Sequence, residues 1–487
     1  MAAISPIHPF KFPRLGILEL LQNRRGGVFE RLPTEILVNI LLRLDDLASL
    51  DCLLHASPVA YRIFDEFAVK VAETILHNGY GAARKGLHTK EPTTIGIAVA
   101  FVPMQIHLIA MIRSGTLPLN SLSDFVGRVI IPYQIGMDVV SLGLFQPESR
   151  AMPTVPFVPP PLAEDTPPAI VRGLVSTARH LTSLSIDCLK FYRARFGRMK
   201  PCHPTVSAKQ FESMPPETRK DLHMEPWHDQ PRGRRVPVHD IGSPTWLEEQ
   251  LVIRAFWCLQ TIVDIRKAAT ASSSRLVGEG WLREDLKQLR DWKRHNVYSL
   301  EKLLRTLLGR ATVCRTLASS IQYRQMMAIM HYLEAAHQRS WPDPHLTGQQ
   351  RLEVKRDWPA PRRRRRDLER LGRPSKAHHL YDFLQSNSYT SLGSLAPYNA
   401  LGFAVWSDER MGAASLVSSR AMSGGGLDEF RRYRFTYAWL SVLGADDRRA
   451  LEGFRRKQGE LAAKCKDRTE RQAMEFHWVP YLMIDLG

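Results

Sequence analysis

Between Phe29 and Gly79 the chain carries more aliphatic surface than so short a segment can bury by itself. Pro33 suits the first turn of a helix, where its missing N–H would have no helical partner. Glu35 adds a negative charge near that positive end. Ile36, Leu37, Ile40, Leu41 and Leu44 then recur at three and four residues, which predicts a helix with a wide apolar stripe. Asp45-Asp46 interrupts the stripe and can cap a second helix carrying Leu47, Leu50, Leu53 and Leu54. Ser57-Pro58 is a further start signal, and Gly79 is placed as a stop after Leu76. The reading is three or four short helices in about 50 residues. Their surplus apolar surface must be covered by the rest of the chain or by another protein.

The whole chain is long for one core. A length of 487 suggests roughly three domain-sized pieces, and 44% apolar with 24% charged residues excludes wholesale disorder, collagen and coiled-coil fibre. Six cysteines form no C-x-x-C pair and no disulfide framework, so reduced, mostly buried thiols are expected. The first twenty residues carry prolines and charges where a signal peptide needs an apolar run. Ile95 to Ile112 is uncharged over 18 residues, the lower limit for a span. Pro103, Gln105 and His107 near its middle favour a buried core helix over a membrane segment.

Composition shifts divide the chain into blocks. Residues 1–28 read as a mobile N-terminal segment and 29–79 as the compact helical unit. Residues 80–146 form an apolar helical segment. Residues 147–168 hold eight prolines, too few backbone donors for a regular element, and read as an extended surface loop. Residues 169–340 are a helical body interrupted by a polar excursion at 200–245. Its clearest helix begins at Trp246, with Leu247, Leu251, Phe256, Leu259, Ile262 and Val263 at helical spacing. Residues 341–376 are a basic loop, and 377–487 are again helical. Period-two alternation is rare, so the fold is expected to be mainly α: an N-terminal three-helix cluster followed by a larger irregular helical domain with long loops.

The order Leu32-Pro33, Glu35-Ile36-Leu37, Ile40-Leu41, Leu44, Leu47 and Leu50 resembles the F-box. More narrowly, residues 29–64 are similar to the F-box of the large filamentous-fungal F-box family, which often shows the Leu-Leu-His-Ala-Ser-Pro run found here at Leu53 to Pro58. Many F-boxes carry a tryptophan in the third helix; here Tyr61 and Phe64 stand in that neighbourhood. The phrases LEEQLVIRAFWCLQ and LGFAVWSDERM also resemble the helical bodies of such proteins. The resemblance implies a substrate receptor of an SCF-type ubiquitin ligase. The F-box would dock on the adaptor subunit, and through it on cullin and the RING subunit. The rest of the chain would hold a protein substrate that the sequence does not name. The chemistry would belong to other subunits, so the chain is read as a non-catalytic component, cytoplasmic or nuclear, needing no cofactor. Leu32, Pro33, Ile36, Leu37, Ile40, Leu41, Leu44, Leu47, Leu50, Val59 and Tyr61 are the expected adaptor-binding residues. Five aliphatic side chains covered by a partner would gain roughly 7–15 kcal/mol gross, against an association cost of about 4–15 kcal/mol. The first helix alone is therefore marginal, and Leu47, Leu50, Val59 and Tyr61 form the second row. Two other readings stay open: a non-ligase F-box scaffold, and a basic nuclear binding protein whose F-box-like helices are purely structural.

Charge separates the regions. Residues 29–76 hold eight acids and four bases, a net of −4 in a chain of +18, which leaves +22 elsewhere. The densest run is Arg362, Arg363, Arg364, Arg365 and Arg366. It reads as a solvated loop, a nuclear localisation signal, or a patch for nucleic acid or an acidic partner. No helix-turn-helix, zinc finger or RNA-binding sheet motif accompanies it, which argues against sequence-specific nucleic-acid reading. Cys188, Cys202, His203, His223 and His228 are of ligand type but match no metal spacing, so no metal site is assigned. His331 and His337 lie six apart and share no helix face. Gly424 to Gly426 is read as a hinge, and Trp246, Phe256, Trp257, Trp281 and Trp292 as core.

Overall fold

The computed structural model describes residues 28–87, 94–118, 157–216, 233–236, 242–270, 283–291, 321–337, 356–361, 396–413 and 429–449, with single positions elsewhere. Residues 1–27, the front of the proline-rich stretch, His223, His228, Trp292, Cys314, Arg362 to Arg366, Gly424 to Gly426 and Cys465 lie outside the described residues.

The fold is mainly α: 76% of the described residues are helical. A 3₁₀ turn at Val28–Arg31 precedes α1 (Thr34–Leu42), α2 (Leu47–Ala56) and α3 (Pro58–Leu87). Then follow α4 (Thr94–Ser114), α5 (Pro168–Arg198), β1 (Cys202–His203), α6 (Ala208–Ser213) and β2 (Arg234–Arg235). The remainder is α7 (Trp246–Thr270), α8 (Arg283–Asp291), α9 (Ile321–His337), α10 (Ala396–Ala400), a 3₁₀ turn at Phe403–Val405, α11 (Asp408–Ala413) and α12 (Glu429–Val442). The two strands pair antiparallel, Cys202 opposite Arg235 and His203 opposite Arg234.

Two compact units result. The first comprises residues 1–81 and 161–179; the second comprises 82–160 and 180–487. The first is thus larger than the segment 29–79 expected from sequence. Residues 161–179 add Leu162, Val171, Leu174, Val175 and Ala178 to its buried side chains. The reason is the surplus noted above: the small helical cluster recruits apolar surface from later in the chain. Asp51 and Asp65 fasten this addition through Arg179 (3.1 Å) and Arg172, and Glu73 accepts from the Leu162 N–H at 2.8 Å. The expected stop at Gly79 is not used, and α3 runs on to Leu87. A glycine inside a helix costs only about 1 kcal/mol, and Ala82-Ala83-Arg84-Lys85 beyond it are strong helix formers. The helix bends instead at Phe67, whose φ and ψ of −122° and 22° are non-helical.

The second unit is built on α7. Most of this helix is buried all round, including Glu248, Glu249, Gln250, Arg254, Thr261 and Asp264. It packs on α4, α8 and α9. The uncharged stretch at Ile95 to Ile112 is the helix α4, and Phe101 to Ala110 are buried in the core. Among the described residues no helix is long and apolar enough to cross a membrane. Gly402 has φ +68°, and a Cβ there would lie 2.4 Å from the Tyr192 ring, so the turn before Phe403 closes only with glycine.

Candidate docking surface

In the first unit Asp46 and Ser57 cap as read, whereas Pro33 stands one position before the first turn in which it was expected. Pro33 stands at the N-cap of α1, and its carbonyl accepts from the Ile36 and Leu37 N–H groups at 3.0 and 3.1 Å. Asp46 caps α2 by accepting from the Ser49 N–H at 2.7 Å. Ser57 caps α3 through its hydroxyl to the Ala60 N–H at 3.2 Å. At the other end of α1, Asn78 donates to the Leu42 carbonyl at 3.1 Å, tying α3 to the first helix.

The caps fix where each helix starts, and packing then divides the expected docking row between core and surface. Leu37, Leu41, Leu47 and Leu50 are buried in the unit's own core, with Leu54, Ile63 and Phe64. They build the surface from beneath and are not part of it. A stripe repeating at three and four residues is wide enough to serve two faces, and the first unit claims one of them. Leu32, Ile36, Ile40, Leu44 and Val59 are half-buried, and Pro33 is exposed. Tyr61 is also exposed, at 39%; the Arg172 guanidinium stands 5.3 Å from its ring centre. Cys52, expected to be buried, is exposed; Cys188, Cys202 and Cys258 are buried, and all four are free thiols. Phe64, one helical turn beyond Tyr61, is fully buried and belongs to packing.

The second unit contains a buried charge network that sequence reasoning missed. Thr245 and Glu248 form a capping box at the start of α7: the Thr245 N–H donates to Glu248 at 2.9 Å and Glu248 N–H to the Thr245 hydroxyl at 3.3 Å. The same carboxylate accepts both Arg410 contacts, at 3.0 and 3.2 Å, and the Ser407 N–H and hydroxyl at 3.1 and 2.8 Å. Arg410 also donates to the carbonyls of Gly242 and Ser243 and lies 4.7 Å over the Trp406 ring. Both charged side chains are almost fully enclosed, at 1% and 0% exposure. The network joins the two phrases LEEQLVIRAFWCLQ and LGFAVWSDERM, 162 residues apart. The Thr-x-x-Glu spacing was a readable signal; the partnership with Arg410 was not. Beside it, Glu249 accepts from Arg356 and from Trp358 Nε1, each at 3.0 Å. Burial pushes its carboxyl above the ordinary value, with Trp358 and Arg356 pulling the other way.

A second polar cluster lies around α5 and α9. Tyr332 donates to Asp187 at 2.8 Å, and Tyr192 donates to the Ala328 carbonyl. Burial raises the Cys188 thiol well above its usual range, with Asp187 adding to the effect. Burial, assisted by the Arg195 charge, lowers His331 from 6.5 to about 4. Asp187 is paired with Tyr332, whereas Nδ1 of His331 is buried without a hydrogen-bond partner among the described residues. Among the described residues no group of His, Cys, Asp and Glu is arranged to hold a metal ion. Phe256, Trp257 and Trp281 are core, as expected, and Trp246 is half-buried.

No family model matches the chain, and neither the curated proteins nor the solved structures contain a match.

Proposed function

We propose that the chain is an F-box substrate receptor of an SCF-type ubiquitin ligase. Its first unit would dock the adaptor subunit, and its second unit would hold a protein substrate. The observation that carries this reading is the divided stripe of α1. Leu37 and Leu41 complete the unit's own core, while Ile36, Ile40 and Leu44 remain part-exposed beside the exposed Pro33. Leu32, Val59 and Tyr61 extend that row. Because these side chains are already half-covered, a partner gains only about half of the 1.5–3 kcal/mol each would give from full exposure. The α1 residues alone then fall short of the association cost, so Val59 and Tyr61 have to join the contact.

The test is co-purification of the full chain with the adaptor subunit. Retention by wild type and loss in Ile36→Asp/Ile40→Asp, with the helical circular dichroism unchanged, is the expected result. Equal capture of both proteins would reassign the face. Cullin in the same complex selects the ligase over a scaffold without ligase activity.

A further inference from the structure

We propose that the β1–β2 ribbon and α12 carry a binding surface for an acidic peptide segment. The ribbon is fastened to α12 on one side. Cys202 N–H donates to the Ser441 hydroxyl at 2.7 Å, and Val236 N–H closes the ribbon on the Pro201 carbonyl at 2.8 Å. Gly233 makes the approach possible: a Cβ there would stand 2.5 Å from the His203 carbonyl oxygen and 2.9 Å from the Tyr437 ring. Side chains alternate along a strand, so the ribbon has two faces. Cys202 and its partner Arg235 share one, and the Cys202 thiol is buried. His203 and Arg234 are directly opposed on the other. Such pairs have Cβ atoms about 5 Å apart.

Onto that second face comes Arg434 from α12, 2.8 Å from His203 Nδ1. Arginine has donors only, so in this contact the ring nitrogen accepts. Arg434 therefore borders His203 through this contact, and Arg234 is its cross-strand partner on the same face. Both arginines are exposed, and neither meets a carboxylate among the described residues. Two exposed positive charges that border one strand face offer an anion two cationic partners there. A carboxylate matches the planar fork of a guanidinium through two parallel hydrogen bonds. The chain's net charge of +18 draws acidic partners to it.

Nucleic acid fits less well. Single strands need exposed rings on which bases stack. Here Phe211, Tyr433 and Tyr437 lie next to the ribbon but are buried, Phe211 stacked on Tyr433 at 5.3 Å. A cluster of two arginines is also too small to follow a duplex backbone, whose binding sums many phosphate contacts.

The surface stands whether or not the first unit docks an adaptor. The test titrates the full chain into a fluorescein-labelled ten-residue peptide of alternating Glu and Gly and reads anisotropy. Arg234→Gln/Arg434→Gln should weaken binding at least tenfold. Arg235→Gln, which removes the same charge from the opposite face, should change it less than twofold, as should replacing Arg362 to Arg366 by Gln. Arg234→Lys/Arg434→Lys, which keeps the charge and loses the fork, should weaken it three- to fivefold. Unchanged binding in the double Gln variant overturns the proposal. So does an equal loss in Arg235→Gln or in the variant lacking the arginine run. A twenty-nucleotide oligo-dT that binds more tightly than the peptide and loses as much in the double variant would reassign the surface to nucleic acid. If the double Gln variant loses its helical circular dichroism, the Lys pair decides, and wild-type affinity there overturns the proposal.

Discussion

Helices α1 and α7 solve opposite problems. The short α1 buries only Leu37 and Leu41 and leaves apolar side chains part-open. The long α7 buries nearly everything, acids included. An enclosed carboxylate has to find its partners inside the chain, because an unpaired buried charge costs several kcal/mol. A half-covered isoleucine has no such obligation, since the hydrophobic gain is roughly proportional to area and stops wherever the covering stops. The second unit is therefore specified from within, and the first unit retains apolar surface to offer elsewhere.

The sharpest way to break this contrast is Arg410→Ala. It strands Glu248 without its cation and should destabilise the protein by about 3–5 kcal/mol in urea unfolding followed by tryptophan fluorescence. A cost below about 1 kcal/mol would mean that the network is incidental. In the first unit, Leu37→Ala should cost about 2–5 kcal/mol, because it empties a fully buried site. Acid titration tests the interior of the second unit. His331 ordinarily titrates at 6.5 and here at about 4, so its contribution is complete above 6.5 and is lost as pH falls towards 4. Wild type should lose about 2–3 kcal/mol more than His331→Gln across that window. Glu249 has the opposite sign: its raised carboxyl favours folding at low pH and the benefit fades as pH rises, so Glu249→Gln should steepen the acid loss slightly. The smallest effect is expected at Ile36→Ala, within about 1 kcal/mol of wild type in the same urea experiment, since the side chain is already half in water. A loss as large as that of Leu37→Ala would show that the stripe is core on both sides.

Local rules made much of this legible. Pro33, Asp46 and Ser57 set the starts of α1, α2 and α3, and the spacing of Leu247 to Val263 set α7. The long excursion at 200–245 concealed a ribbon and the capping box of α6, Ser207 with Gln210, because strands of two residues are too short for alternation to show. The division of the α1 stripe into core and surface was also hidden. Ile36 and Leu37 are chemically alike and adjacent, and only the packing of α2, α3 and residues 161–179 distinguishes them. Long-range partnerships such as Glu248 with Arg410 leave no periodic trace in either segment.

The double duty of the Glu248 carboxylate has a consequence for synthesis. Every residue of the first unit has been made once the ribosome passes position 179, whereas the start of α7 lacks its cation until position 410 is made. At about 5–20 residues per second, that interval is roughly 10–50 s. The amino-terminal cluster is thus free to mature on the nascent chain while the later unit waits for its far end.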